Sequence, residues 1–70
     1  MANESVYKII EVVGTSDKSW EKAVVNAVEE AGKSLRNLRI AEVSKFDVTV
    51  KDGKVELYRA RVQLSFKYES

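Results

Sequence analysis

The chain contains no cysteine and no histidine. Without cysteine there is no disulfide and no thiolate-held zinc or iron–sulfur site. Without histidine the commonest metal ligand and the commonest general base near neutral pH are both missing. The chemistry left belongs to carboxylates, lysine, tyrosine and hydroxyl groups, so a role in binding or assembly is expected and no enzyme activity is assigned. An excess of one charge is missing too. Twelve Lys and Arg stand against 11 Asp and Glu, for a net charge of +1, whereas nucleic-acid-binding domains are strongly basic. No nucleic acid partner is therefore expected. The longest unbroken apolar run is Ala23-Val24-Val25, far short of the roughly 20 residues of a membrane-spanning helix. Met1 to Ser5 shows no basic region followed by an apolar stretch, which makes the cytoplasm the expected location.

Seventy residues make one small domain, here residues 5–70 after a flexible N-terminus over 1–4. A chain of this size buries only about 60% of the surface that its unfolded form exposes. Natural domains below roughly 70 to 80 residues are commonly stapled by disulfides, metals or partner subunits. With disulfides excluded, a homo-oligomer is the expected remedy.

Val6 to Val13 is rich in residues that suit a pleated surface and reads as a first strand ending at Gly14. Ser16, Asp17 and Ser19 are each able to cap a helix start, so a helix is predicted to begin between 16 and 20. Trp20, Val24, Ala27, Val28, Ala31 and Leu35 recur at steps of three and four, which predicts about four amphipathic turns. Gly32 near the end of this stretch either caps the helix or admits another backbone. From Leu38 the period becomes two, and Asp52-Gly53 is a two-residue hairpin signal between long strands over 38–51 and 54–68. The predicted fold class is α+β, a β-α-β-β subunit with a three-stranded antiparallel sheet wrapped on one helix.

If the Asp52-Gly53 turn alone sets the register, Val50 faces Val55, Val48 faces Leu57, Phe46 faces Arg59 and Val43 faces Val62. One hairpin face then carries Ala41, Val43, Tyr58, Ala60, Val62, Leu64 and Phe66 for the helix. The other carries Ile40, Phe46, Val48, Val50, Val55 and Leu57 together with Arg59, Arg61, Gln63 and Lys67. One helix covers one face, so the second apolar set needs a further partner or is merely β-propensity at an exposed surface. Association with other copies is the expectation.

The segments "VYKIIEVVGTS", "SLRNLRIAEV" and "VQLSFK" resemble the dodecins, with Tyr7-Lys8, Gly14-Thr15-Ser16, Leu38 and Glu42-Val43 as the most specific pieces. The resemblance covers residues 5–68. It implies a hollow homo-dodecamer that binds and stores a flavin, FMN or riboflavin, without catalysis. It also implies which positions meet the flavin: Ile40 stands where a stacking tryptophan is expected, Arg59 where a glutamine pairs with the pyrimidine edge, Asp47 where a basic residue is usual, and Lys67 at a basic position that meets phosphate. Arginine has five donors and no acceptor, so Arg59 cannot reproduce a two-sided amide contact. Ser19-Trp20-Glu21 and the missing tryptophan at Ile40 bring the chain closer to dodecins described as calcium-binding. Calcium takes six to eight oxygens, no linear calcium-binding motif is present, and Asp17, Glu21, Glu42 and Asp47 are candidates by chemistry alone.

Other residues have plainer accounts. Trp20 lies on the apolar stripe of the helix, where core or subunit contact is the usual role. Arg59, Arg61 and Lys67 suit either a phosphate-bearing ligand or ion pairing with Glu42, Glu56 or a neighbouring copy. Tyr7, Lys8 and Glu11 have groups capable of proton transfer, but nothing in the sequence places them in a pocket.

Overall fold

Asp52 and Gly53 both take positive φ, 54° and 73°, the backbone that a two-residue turn between right-twisted strands demands. The turn joins β2 (Leu38–Lys51) to β3 (Lys54–Lys67), and these follow β1 (Tyr7–Ser16) and α1 (Trp20–Gly32) in chain order. A computed structural model describes residues 4–68, so most of the expected flexible stretch over 1–4 lies outside the described residues. The sheet order is β1-β3-β2 with antiparallel pairing throughout. The helix carries the chain across the sheet, so β2 enters at the far edge and the hairpin then returns β3 to the centre. The expected β-α-β-β subunit forms.

Ser19 fixes where the helix starts. Its hydroxyl oxygen accepts from the Lys22 N–H at 3.0 Å, satisfying a donor that has no partner within the first turn, and Glu21 adds a negative charge near the positive end of the helix dipole. Ser19→Ala is expected to lower stability by about 0.5 to 2 kcal/mol, with Ser19→Asp retaining most of it. Denaturant unfolding at fixed protein concentration reads the difference, and equal losses in the two variants would show that the cap contributes nothing. Gly32 is the last helical residue, and a Cβ there would meet nothing within 4 Å. It neither caps the helix in a left-handed conformation nor admits a backbone. Asn37, with φ of 60°, takes the left-handed position before β2 instead.

The core lies between α1 and one face of the sheet. Ala23, Ala27, Ala60, Val62 and Leu64 are buried, and only Leu64 and Val62 among them are large. Ile10, Val12, Val28 and Leu35 are partly buried around them. Two fully buried large side chains are a small core even for this size, as the surface-to-volume argument requires.

Gly14 does not end the first strand. It lies inside β1, paired with Ala60 and directly under the helix, where an added Cβ would sit 2.8 Å from the Ala27 Cβ and against the Ala23 carbonyl oxygen. Small residues on both sides let helix and sheet backbones approach closely, and the Asn26 side-chain amide ties them further by donating to the Thr15 carbonyl oxygen at 2.9 Å.

Irregular pairing overturns part of the expected face assignment. The turn register predicted Val48 opposite Leu57 and Phe46 opposite Arg59, whereas Val48 faces Tyr58 and Phe46 faces Ala60. Irregularities fall between Leu38 and Ile40, between Val43 and Lys45, and between Thr49 and Val50. Each sets two residues of one strand against one of the other, which rotates the following side chains to the opposite face. The Ser44 hydroxyl donates to the Arg61 carbonyl oxygen at 3.2 Å at one irregularity, and the Thr49 hydroxyl oxygen accepts from the Leu57 N–H at 3.0 Å at another. Phe46 and Val48 therefore belong to the helix side, while Val50–Val55 and Val43–Val62 pair as expected.

Candidate functional site

β3 pairs with β1 without interruption, so alternate β3 residues mark one face from end to end. The face away from the helix presents Leu57, Arg59, Arg61, Gln63, Ser65 and Lys67 on the central strand. Thr15, Val13, Glu11, Ile9 and Tyr7 stand beside the last five of these on β1. On β2 the neighbours are Asp47 opposite Arg59, Lys45 opposite Arg61, Glu42 opposite Gln63 and Ile40 opposite Ser65. All four positions that the dodecin resemblance singled out, Ile40, Asp47, Arg59 and Lys67, thus share the open face.

The structure brings two of the four together. Arg59 donates from Nε to Asp47 Oδ1 at 2.7 Å and from Nη2 to Oδ2 at 2.8 Å, a parallel two-bond arrangement that a guanidinium makes with a carboxylate. The Arg59 hydrogen bond holds the Asp47 carboxyl below its usual range; desolvation opposes this, and the charges of Arg59 and Arg61 add to it. The same hydrogen bond raises Arg59 above its ordinary value. Asp47 therefore stays ionised at neutral pH and its acceptor oxygens are already engaged.

Ile40 is on the same face, 57% exposed, but level with Ser65, six residues along β3 from Arg59. At a rise of about 3.3 Å per residue the two are roughly 20 Å apart, beyond the span of one tricyclic ring. Lys67 is exposed at the far end, opposite Tyr7. A single flavin ring cannot touch the Ile40 and the Arg59 positions of one copy at the same time.

The calcium candidates are dispersed. Asp17 and Glu21 flank the start of α1, Asp47 is held by Arg59, and Glu42 stands on the open face beside Gln63. Across Gln63 from Glu42 is Glu11, a juxtaposition invisible in a sequence that separates the two by 31 positions. Two strand spacings, about 9.6 Å, divide these carboxylates, whereas oxygens around one calcium lie 2.3 to 2.6 Å from the ion. Among the described residues no group of three or more acidic residues is close enough to hold a metal. Tyr7 and Glu11 share the open face, but Lys8 does not; its ammonium lies 5.4 Å from the Tyr68 ring centroid. The structure does not gather the three groups into one site. Trp20 is on the helix side, donating from its indole N–H to the Asp47 carbonyl oxygen at 3.0 Å and packing against Phe46 and Tyr58.

The dodecin family model matches residues 6–69. This chain belongs to the dodecin family. A curated relative, calcium dodecin from Mycobacterium tuberculosis, is 41% identical over 63 residues, covering 90% of this chain and 89% of the relative. The dodecin structure from Streptomyces coelicolor is 37% identical with a TM-score of 0.90, covering 100% of this chain and 99% of that one. A crystal structure of the Mycobacterium tuberculosis calcium dodecin, described as having a novel calcium-binding site, is 40% identical with a TM-score of 0.83 over 93% of each chain. The β-α-β-β arrangement matches that of the dodecin structures. No helix among the described residues is long and apolar enough to cross a membrane.

Proposed function

We propose that this dodecin is a non-catalytic binding subunit of a cytoplasmic homo-oligomer, a dodecamer as the family resemblance implies, and that its ligand is calcium and not a stacked flavin. The bidentate Asp47–Arg59 pair carries this conclusion. It occupies the positions that the resemblance assigns to an amide-pairing glutamine and a basic residue, and it ties the carboxylate and one edge of the guanidinium to each other. Ile40 removes the aromatic platform as well, so the residues present do not fit FMN or riboflavin. For calcium, the relative named calcium dodecin, at 41% identity over 90% of this chain, supports the assignment. Glu42, with Glu11 across Gln63, supplies hard oxygen donors of the kind that calcium selects. One copy offers too few oxygens within reach of a single ion, so the site is shared between chains.

Light scattering tests the assembly; twelve copies of a 7.9 kDa chain give about 95 kDa, and a stable 7.9 kDa species at micromolar concentration would remove the oligomer. Millimolar calcium is expected to raise the melting temperature of the assembled protein by about 4 °C or more, and less in Glu42→Gln. Absence of both heat on titration and any thermal shift would remove calcium and leave the assembly alone.

A further inference from the structure

The β2–β3 hairpin outruns the helix that covers it. Thirteen helical residues rise about 20 Å, while 14-residue strands extend about 46 Å. The chain measures 56 × 20 × 16 Å with a radius of gyration of 14.5 Å, against about 11 Å for a compact chain of this length. It exposes 5360 Å², where a compact 7.9 kDa protein exposes about 4,400 Å². The excess, about 950 Å², is close to the roughly 800 Å² that each partner contributes to a standard interface.

Two patches on this arm are complementary. At its base, Trp20, Val24, Val43 and Phe46 line a groove of about 500 Å³, with Glu21 the single charged residue on its rim. The Trp20 and Phe46 rings are 5.6 Å apart and remain 40% and 55% exposed. The indole is held in place by its bond to Asp47 and its edge-on contact with Tyr58, with centroids 5.1 Å apart. At the tip, the paired Val50 and Val55 are 64% and 54% exposed, and Lys51 pairs with Lys54 next to them. The turn also carries Asp52 between the two lysines, so residues 51–54 bear a net single positive charge, opposite in sign to the one carboxylate beside the apolar groove. Val43 and Phe46 of the groove and the valines of the tip lie along the same antiparallel strand pair, which does not fold back on itself, so the two patches meet only between copies.

We propose that the Trp20–Phe46 groove seats the tip of a second copy's β2–β3 hairpin, with the valines of the tip against the aromatic walls and its lysines beside Glu21. The contact rests on the reading that this chain assembles with itself. It is head-to-tail, the type of contact that closes into a ring when the rotation between successive copies divides a full turn.

Trp20 is the sole tryptophan, so its emission reports on the groove alone. In the assembled protein it is expected to be blue-shifted and shielded from acrylamide. Glu21→Lys, and separately the pair Lys51→Glu with Lys54→Glu, are expected to raise the concentration at half-assembly by about tenfold or more and to expose Trp20. Combining all three changes is expected to recover both assembly and shielding, with far-UV circular dichroism confirming the fold at each stage. A wild-type monomer sinks the assembly and this contact together. An assembled protein with freely quenched Trp20, charge reversals without effect, or a triple variant that stays dissociated overturns the contact and leaves the assembly standing.

Discussion

Riboflavin is expected to keep its fluorescence in the presence of micromolar protein. Quenching of a flavin by a protein is strong when an aromatic ring stacks on the isoalloxazine, and Ile40 offers dispersion contact without an aromatic face. In nucleic acid systems, removal of a stacking aromatic costs about 1 to 3 kcal/mol per base, equivalent to roughly 5- to 150-fold in affinity. Arg59 adds to the loss in a different way. Its guanidinium is committed to both oxygens of Asp47, and it has no acceptor to return to a ligand N–H. Ile40→Trp together with Arg59→Gln is expected to restore quenching of riboflavin in part, because the first supplies the ring and the second supplies an amide. Riboflavin is the suitable probe and FMN is not, since freeing Asp47 from Arg59 leaves a carboxylate that repels phosphate. Tight stoichiometric quenching by the unaltered protein would mean that another residue supplies the platform and that the Ile40 assignment is wrong.

Gly14→Ala is expected to destabilise the protein by about 2 kcal/mol or more, which for a domain of 60 to 100 residues lowers the melting temperature by about 8 °C or more. The added Cβ falls 2.8 Å from the Ala27 Cβ and against the carbonyl oxygen of Ala23. Neither neighbour is the end of a flexible side chain. The helix has to lift from the sheet, and the small core around Leu64 and Val62 opens with it. Gly32→Ala provides the opposite case, because its Cβ meets nothing within 4 Å and alanine in a helix is favoured by about 0.8 to 1 kcal/mol over glycine. Chemical denaturation of the two variants at equal protein concentration is expected to move their midpoints in opposite directions. A neutral Gly14→Ala would show that the helix and β1 are not in close contact in solution.

Local chemistry made much of this legible in advance. The positive φ values that Asp52-Gly53 requires, the cap at Ser19 and the change of period at Leu38 are short-range properties, and each element follows from them within a few residues. The helix ended at Gly32, before the apolar stripe reached Leu35, since a stripe records which side is buried and not where hydrogen bonding stops. The faces of the hairpin were harder. Val50–Val55 and Val43–Val62 were set correctly by the turn, but Phe46 and Val48 were not, because one extra residue near Ser44 reverses the orientation of every side chain until the next irregularity. Nothing in the local sequence announces such a bulge; it is settled by which register packs best against Trp20 and the helix.

The sequence by itself determined the fold class and the family, since these rest on periodicity, turn chemistry and motif, and the limited core that 70 residues afford is what raises the expectation of other copies. Tertiary structure decided the rest. It joined Asp47 to Arg59, set Glu11 across Gln63 from Glu42, put Gly14 under the helix, and placed Ile40 about 20 Å from Arg59 on one face. Each of these depends on strand order and register, which are fixed by long-range packing on a shared core and therefore leave no mark in the residues that flank them.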